Sequence, residues 1–248
     1  MKVSIITAVY NRVETISHTI ESVLGQTYPD IEYIVVDGMS DDGTDRIISK
    51  YSDRIDRQVR EKDHGIYDAL NKGIRLATGD VVGLLHADDF FAHRDVIASL
   101  VEEFSIDRAT MGVYGDLVYV DNLEPTRTVR RWISGKYDVS NYRWGWMPPH
   151  PTVYFRRECY VQYGRFRDDF QLAADYELLL RMMMVHGVPM RYIAQTLVCM
   201  RVGGKSNASF SNRMQANRED AKAWRVNGLR PPIGLRFLKP IRKIYQYF

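Results

Sequence analysis

Carboxylates standing directly after apolar, strand-like runs are the residues of this sequence best suited to chemistry. Asp88 and Asp89 follow Val81 to Leu85 within His86-Ala87-Asp88-Asp89, and Asp37 follows Ile34-Val35-Val36. Two adjacent carboxylates at a strand end suit Mg²⁺ or Mn²⁺, hard cations that prefer oxygen ligands and can bridge a diphosphate through their remaining positions. An isolated Asp-Asp pair more often caps a turn or helix. Its place after a buried strand, with Asp37 at a neighbouring strand end, favours the metal. Asp37 can accept hydrogen bonds from a ribose or a base N–H, with a simple turn aspartate as the competing reading.

Two further carboxylates mark helix starts. Glu61-Lys62-Asp63-His64-Gly65-Ile66 opens an amphipathic helix whose free N–H groups suit an anion, and Asp63 equally suits an ordinary N-cap. In Ala173-Ala174-Asp175-Tyr176-Glu177-Leu178-Leu179-Leu180-Arg181, helical phase places Asp175 on the face of Leu178, Leu179 and Met182, so it points inward. An inward aspartate is either a buried structural cap or a general base with a pKa raised by partial burial; spacing alone does not separate the two.

The elements that must position these groups alternate between strand and helix periods. Val3 to Val9 reads as a first strand, and Val13, Ile16, Ile20, Val23 and Leu24 recur at helical spacing. A strand at Ile31 to Val36 follows, then a turn and cap at Asp41-Asp42-Gly43-Thr44 and a helix with Ile47, Ile48 and Tyr51. Ile66, Ala69, Leu70, Gly73, Ile74 and Ala77 form the next apolar stripe. Strands are expected at Val81 to Leu85 and Val113 to Val120, and Asn122 to Gly145 reads as a long functional loop. This order predicts an α/β fold with a mostly parallel sheet covered by helices on both faces. In such sheets ligands bind at the carboxyl ends of strands, which here carry Tyr10-Asn11-Arg12, Asp37-Gly38 and His86-Ala87-Asp88-Asp89.

Composition narrows the class. The 248 residues are 45% hydrophobic, enough for one large α/β domain with a small appendage. No apolar stretch approaches the roughly 18 residues of a membrane span, and Asn11, Arg12 and Glu14 interrupt the N-terminal run, so it reads as a strand rather than a leader. Cys159 and Cys199 lie far apart and read as reduced thiols of a cytoplasmic protein. A net charge of +3 is too small to imply nucleic acid. After Asp220, however, no acidic residue occurs, while Lys222, Arg225, Arg230, Arg236, Lys239, Arg242 and Lys243 alternate with bulky apolar groups. That pattern suits a tail lying on an anionic membrane surface, although Pro231, Pro232 and Pro240 limit any long helix, and packing against the body of the protein is the alternative.

Taken together, Ser4-Ile5-Ile6-Thr7-Ala8-Val9-Tyr10-Asn11-Arg12, Val35-Val36-Asp37-Gly38-Met39-Ser40-Asp41-Asp42-Gly43-Thr44 and the run Glu61 to Gly73 resemble glycosyltransferase family 2 in order and spacing. Ala77-Thr78-Gly79-Asp80 with His86-Ala87-Asp88-Asp89 looks like its pre-strand turn and metal motif, and Ala174-Asp175-Tyr176-Glu177-Leu178 like its base segment. The resemblance covers about residues 3 to 205. It implies a GT-A fold, Rossmann-like, and inverting transfer from a UDP- or GDP-linked sugar with Mn²⁺ or Mg²⁺. It places Thr7, Ala8, Tyr10, Arg12, Asp37, Asp63, Gly65, Asn71 and Lys72 at the nucleotide sugar. Asp88 falls at the ribose or phosphate, Asp89 at the metal with Asp88 as a second ligand, and Asp175 as the general base. Met147-Pro148-Pro149-His150-Pro151-Thr152-Val153 resembles the acceptor-side segment, which gives Trp146 and His150 to the acceptor. The implied acceptor is a saccharide or lipid-linked saccharide of surface polysaccharide assembly.

The departure lies in the metal motif, where Ala87 stands at a position that many relatives fill with a first carboxylate; coordination then rests on Asp89 with phosphates and water. His86 is a candidate polar contact there, packing being its commoner role. The implied division is a catalytic domain at 1–205, its donor half 1–112 and acceptor half 113–205, followed by a basic helical tail at 206–248. A nucleotidyltransferase would need a glycine-rich phosphate loop after the first strand, and a dehydrogenase G-x-G-x-x-G; neither is present. A catalytically decayed binding module remains the alternative. It fits Ala87, while Asp37, Asp88, Asp89 and Asp175 speak against it.

Overall fold

Strand β1 (Val3–Val9) is buried along its whole length in the computed structural model, which describes residues 1–202 and 210–234. A strand buried on both faces needs neighbours on each side and helices above and below. β1 pairs in parallel with β2 (Ile31–Asp37) and β4 (Val81–Leu84), and β2 with the edge strand β3 (Arg57–Arg60). Val9 lies level with Asp37, so the carboxyl ends of β1 and β2 finish together. The helices of this half are α1 (Ile16–Leu24), α2 (Thr44–Ser49), α3 (Ile66–Leu76) and, after the short β5 (Phe90–Phe91), α4 (Val96–Ile106). α3 lies close on β1: a Cβ at Gly73 would strike the Ile6 side chain, so the helix approaches only because that residue is glycine.

Beyond α4 the alternation stops and the sheet becomes mixed. β6 (Gly112–Val120) pairs antiparallel with β7 (Thr128–Trp132) and β8 (Tyr154–Arg156), and parallel with β9 (Met190–Arg201). β8 runs antiparallel to β4 and joins the two halves, giving the order β3-β2-β1-β4-β8-β6-β9-β5. The α/β class holds, with the parallel character confined to β1–β4 and the β6–β9 pair. The stretch 122–145 is more structured than expected: it holds β7 and a 3₁₀ turn at Val139–Trp144. β3 and β5 were hidden in sequence because Arg57–Arg60 has no apolar run and Phe90–Phe91 is two residues long.

Helices α5 (Arg157–Tyr163) and α6 (Ala174–Leu179) follow β8, and α6 continues into wider π-helical turns at Leu180–Val185. α7 (Phe210–Val226) packs on α6. Its Ala223 and Trp224 are buried, and the Trp224 indole N–H donates to the Tyr176 hydroxyl at 2.8 Å. Lys222, read as part of a basic membrane-facing run, pairs with Asp169 at 2.8 Å. Arg236, Lys239, Arg242 and Lys243 lie outside the described residues.

Candidate active site

At the carboxyl ends of β1 and β2 two loops are laced together. Asn11, in the left-handed region at φ 51°, donates its backbone N–H to Ser40 Oγ (2.9 Å) and exchanges side-chain and backbone bonds with Asp41 (2.9 and 3.0 Å). The Arg12 N–H donates to Thr44 Oγ1 (2.8 Å). Asp37 is buried between them: its Oδ1 accepts from the Ser40 N–H (3.0 Å) and hydroxyl (2.6 Å), and its Oδ2 from Arg60 Nε (3.0 Å). Asp63 lies against Gly38, where a Cβ would collide with its carboxylate and also touch the Tyr10 ring. Its Oδ1 accepts from the Gly65 N–H (2.9 Å), a turn that starts α3.

The site residues expected from sequence divide here. Tyr10 is exposed and Arg12 half-exposed at the cleft, with Asp37, Asp63 and Gly65 beside them. Thr7 and Ala8 are buried within β1, and the Thr7 hydroxyl accepts from Tyr33 (3.2 Å), so what they offer a ligand is the strand end rather than a side chain. Asn71 is a brace: its amide donates to the Phe166 carbonyl (2.8 Å) and accepts from the Phe166 N–H (3.0 Å). Lys72 is taken up by Glu61 (3.0 Å), Asp68 (3.4 Å) and the Lys62 carbonyl (2.8 Å). Both stand on α3 but are committed to holding it in place.

Past β4 the Asp89 N–H donates to the His86 carbonyl (3.0 Å), closing a turn that puts the two aspartates on opposite sides. The Asp88 side chain is 36% exposed and lies 3.8 Å from Arg12 Nε. Asp89 is fully buried, with neither carboxyl oxygen hydrogen-bonded among the described residues. Burial, and then the neighbouring Asp88 charge, push the Asp89 carboxyl well above the usual carboxylate range. Of the two aspartates expected at the metal, Asp88 is the one exposed toward Arg12, and Asp89 is enclosed. A single cleft carboxylate fits Mg²⁺ or Mn²⁺, which commonly bind through one or two carboxylates, substrate phosphates and water. No cluster of three or more His, Cys, Asp or Glu suited to a metal occurs among the described residues.

Across the cleft, Asp175 stands in the first turn of α6 with its side chain 19% exposed. Its Oδ2 is 2.9 Å from His150 Nδ1, and its Oδ1 accepts from the Tyr67 hydroxyl (3.2 Å). His150 Nε2 lies 2.7 Å from His86 Nε2, and His86 Nδ1 is buried without a partner among the described residues. Burial and then the His150 charge hold the His86 imidazole down at about 4, while burial and then Asp175 keep Tyr67 well above the ordinary phenol range. Trp146, expected at the acceptor, is a core residue whose indole donates to the Ser134 carbonyl (2.8 Å) and packs edge-on against Tyr114 and Tyr142. The exposed tryptophan nearby is Trp144.

Sequence reasoning missed Arg60, Ser40, Tyr67 and the His86–His150 contact, since none follows from local spacing. The resulting arrangement sets an outward carboxylate at one strand end and a partly buried carboxylate on α6. They are linked through His86 and His150.

The profile described as Glycosyl transferase family 2 matches residues 4–163. An uncharacterized glycosyltransferase of Mycobacterium tuberculosis is 33% identical over 190 residues, 74% of this chain and 69% of that protein. A PGL/p-HBAD biosynthesis glycosyltransferase of the same species is 27% identical over 208 residues, 82% of this chain and 78% of that protein. Among solved structures, S. aureus TarS 1-349 in complex with UDP-GlcNAc superimposes with a TM-score of 0.74 at 16% identity, covering 92% of this chain and 65% of that one. Mannosyltransferase PcManGT from Pyrobaculum calidifontis, in complex with GDP-Man and Mn2+, superimposes with a TM-score of 0.68 at 20% identity, covering 98% and 69%. The shared feature is the GT-A arrangement of a mixed sheet flanked by helices.

Proposed function

The chain belongs to glycosyltransferase family 2 and is a glycosyltransferase, and we propose that it moves one sugar, with inversion, from a nucleotide-diphosphate-sugar to an acceptor hydroxyl. The observation that carries this reading is the Asp175 carboxylate, fixed by His150 and Tyr67 and linked through His86 to the strand end bearing Asp88. Asp175 is the general base: it takes the hydroxyl proton as the acceptor oxygen attacks the anomeric carbon opposite the departing diphosphate. Asp88 is the principal residue for Mn²⁺ or Mg²⁺, and such an ion neutralises the charge developing on the diphosphate. Tyr10, Arg12, Asp37 and Asp63 line the donor, whose nucleotide is uridine or guanosine diphosphate. Residues 1–112 then serve the donor, 113–205 the acceptor, and 206–248 form a C-terminal extension.

The acceptor is a lipid-linked saccharide, met at the inner face of the cell membrane. The PGL/p-HBAD relative supports this reading. So does the stretch 123–144 of the acceptor half, where Leu123 (97% exposed), Ile133 (71%) and Trp144 (62%) are exposed along with Arg127, Arg131 and Arg143. Apolar and basic groups together suit an anionic lipid interface. No helix among the described residues is long and apolar enough to cross a membrane. The test is a panel of UDP- and GDP-sugars assayed with Mn²⁺ for nucleoside diphosphate release, with and without polyprenyl-linked saccharide. Donor affinity without product would leave the chain a nucleotide-sugar-binding module.

A further inference from the structure

Two side chains from separate segments, His86 after β4 and Asp175 on α6, meet at His150. The residue opens a one-turn 3₁₀ segment, His150–Thr152, directly after Pro148 and Pro149. Both prolines are buried and restrict the backbone, and Thr152 ties the turn down through its N–H to the Pro149 carbonyl (2.9 Å) and its hydroxyl to the Gly115 carbonyl (3.0 Å). The ring is therefore presented from a rigid support. Leu84, Val153, Phe155, Phe166 and Leu178 line the small cavity beside it and keep its surroundings apolar.

Hydrogen-bond bookkeeping then fixes the direction of each contact. An ionised Asp175 has no proton to give, so His150 Nδ1, 2.9 Å away, carries the hydrogen. The neutral ring has its lone pair on Nε2, and the facing His86 Nε2, at 2.7 Å, must be the donor. His86 is then left with a bare lone pair on Nδ1, the ring nitrogen that has no partner among the described residues. Every other assignment of two neutral rings sets lone pair against lone pair or N–H against N–H.

We propose that His150 is the positioning residue of the base, its Nδ1–H held on Asp175 and its Nε2 taken by the His86 N–H, so that the β4 end and Asp175 are held as one hydrogen-bonded unit. This rests on the reading of Asp175 as the base. His150 occupies Oδ2 and Tyr67 approaches Oδ1, which fixes the carboxylate plane. During transfer the acceptor O–H bond breaks, its oxygen bonds to the anomeric carbon, and the carbon–oxygen bond to the diphosphate breaks. The proton ends on Asp175 while the His150 Nδ1–H bond stays intact. Without His86, His150 keeps its Nδ1–H on the carboxylate but loses the second bond that fixes its ring.

The test needs no substrate in its first arm. Long-range ¹H–¹⁵N spectra of the full chain at pH 8 are expected to show His150 as the Nδ1–H tautomer, and D175A to shift it toward Nε2–H. In the second arm, nucleoside diphosphate release is followed with the donor that the UDP- and GDP-sugar panel selects. H150A is expected to lower kcat about 100-fold with donor KM within about 3-fold, and H150N, whose Nδ2 reaches the place of Nδ1, to recover to within about 10-fold of wild type. H150A should add nothing further to the loss in D175N, because a residue acting only through Asp175 has nothing left to position. An Nε2–H tautomer in the wild-type protein, or losses that multiply in the double variant, would overturn the proposal. Full activity in D175N alone would instead remove the base reading, leaving the spectroscopic result standing.

Discussion

Glu219 on α7 caps the helix that carries Asp175: its Oε2 accepts from the Ala173 N–H at 2.9 Å, across 46 residues of sequence. The same carboxylate takes the Leu172 N–H (2.8 Å) and reaches that of Gln171 (3.2 Å). Free N–H groups at a helix start favour an anion, so Glu219 satisfies orphan donors and matches the helix dipole at once. The helix bearing Asp175 is thus completed from α7.

Removing that cap should loosen the base helix without touching the donor side. E219A is expected to cost about 1.5–3 kcal/mol of stability, the usual range for a lost charged hydrogen bond, measured by urea unfolding. Donor affinity, read by titration with the preferred nucleoside diphosphate, should change little. A variant as stable as wild type would show that the α6 donors find other partners.

A second carboxylate ties strand to strand and predicts the acid limit. Glu32 is buried on β2, which alone would raise its pKa, but hydrogen bonds from Ser4 (2.5 Å) and Thr78 (2.7 Å) and the charge of Lys2 bring it down to about 2. The folded value lies below the unfolded one, so this stability is present above about pH 4.5 and is lost as pH falls toward 2. The shift corresponds to about 3 kcal/mol. E32Q should flatten the fall in Tm between pH 5 and 2; an unchanged slope would place the acid sensitivity elsewhere.

The two aspartates after β4 should separate cleanly. D88A is expected to lose metal-stimulated donor turnover by about 100-fold or more, because it removes the only one of the pair that faces the cleft. D89N keeps the shape of a buried group and should retain most activity across a Mn²⁺ titration. The reverse result would return the metal to Asp89.

Much of this architecture was readable in the chain. β1, α3 and β4 emerge from apolar periodicity alone, and the strand-end carboxylates follow from the rule that parallel sheets bind at their carboxyl edges. What could not be read was tertiary pairing. Asp88 and Asp89 are adjacent and alike, and only the turn closed on the His86 carbonyl decides which faces outward. Trp146 and Trp144 are two residues apart, and the aromatic packing around Trp146 determines which is buried. His86 and His150 are 64 positions apart, and no local pattern announces their contact.

The surface of the acceptor half gives the last prediction. Leu123, Ile133 and Trp144 are each more than half exposed, which for bulky apolar groups signals a surface that meets something other than water. Arg127, Arg131 and Arg143 are exposed in the same stretch, and cations near an anionic bilayer contribute about 1 kcal/mol each. The basic residues beyond 234 are a separate candidate for the same role. Co-sedimentation with anionic and neutral liposomes at low salt distinguishes them. The full chain is expected to sediment with anionic vesicles. The I133S/W144S variant should lose most of that binding, and a chain ending at 234 should lose less. Loss only on truncation would move membrane attachment to the C-terminal residues. Negligible binding by the full chain would leave the exposed groups to the saccharide end of the acceptor, with its lipid held elsewhere.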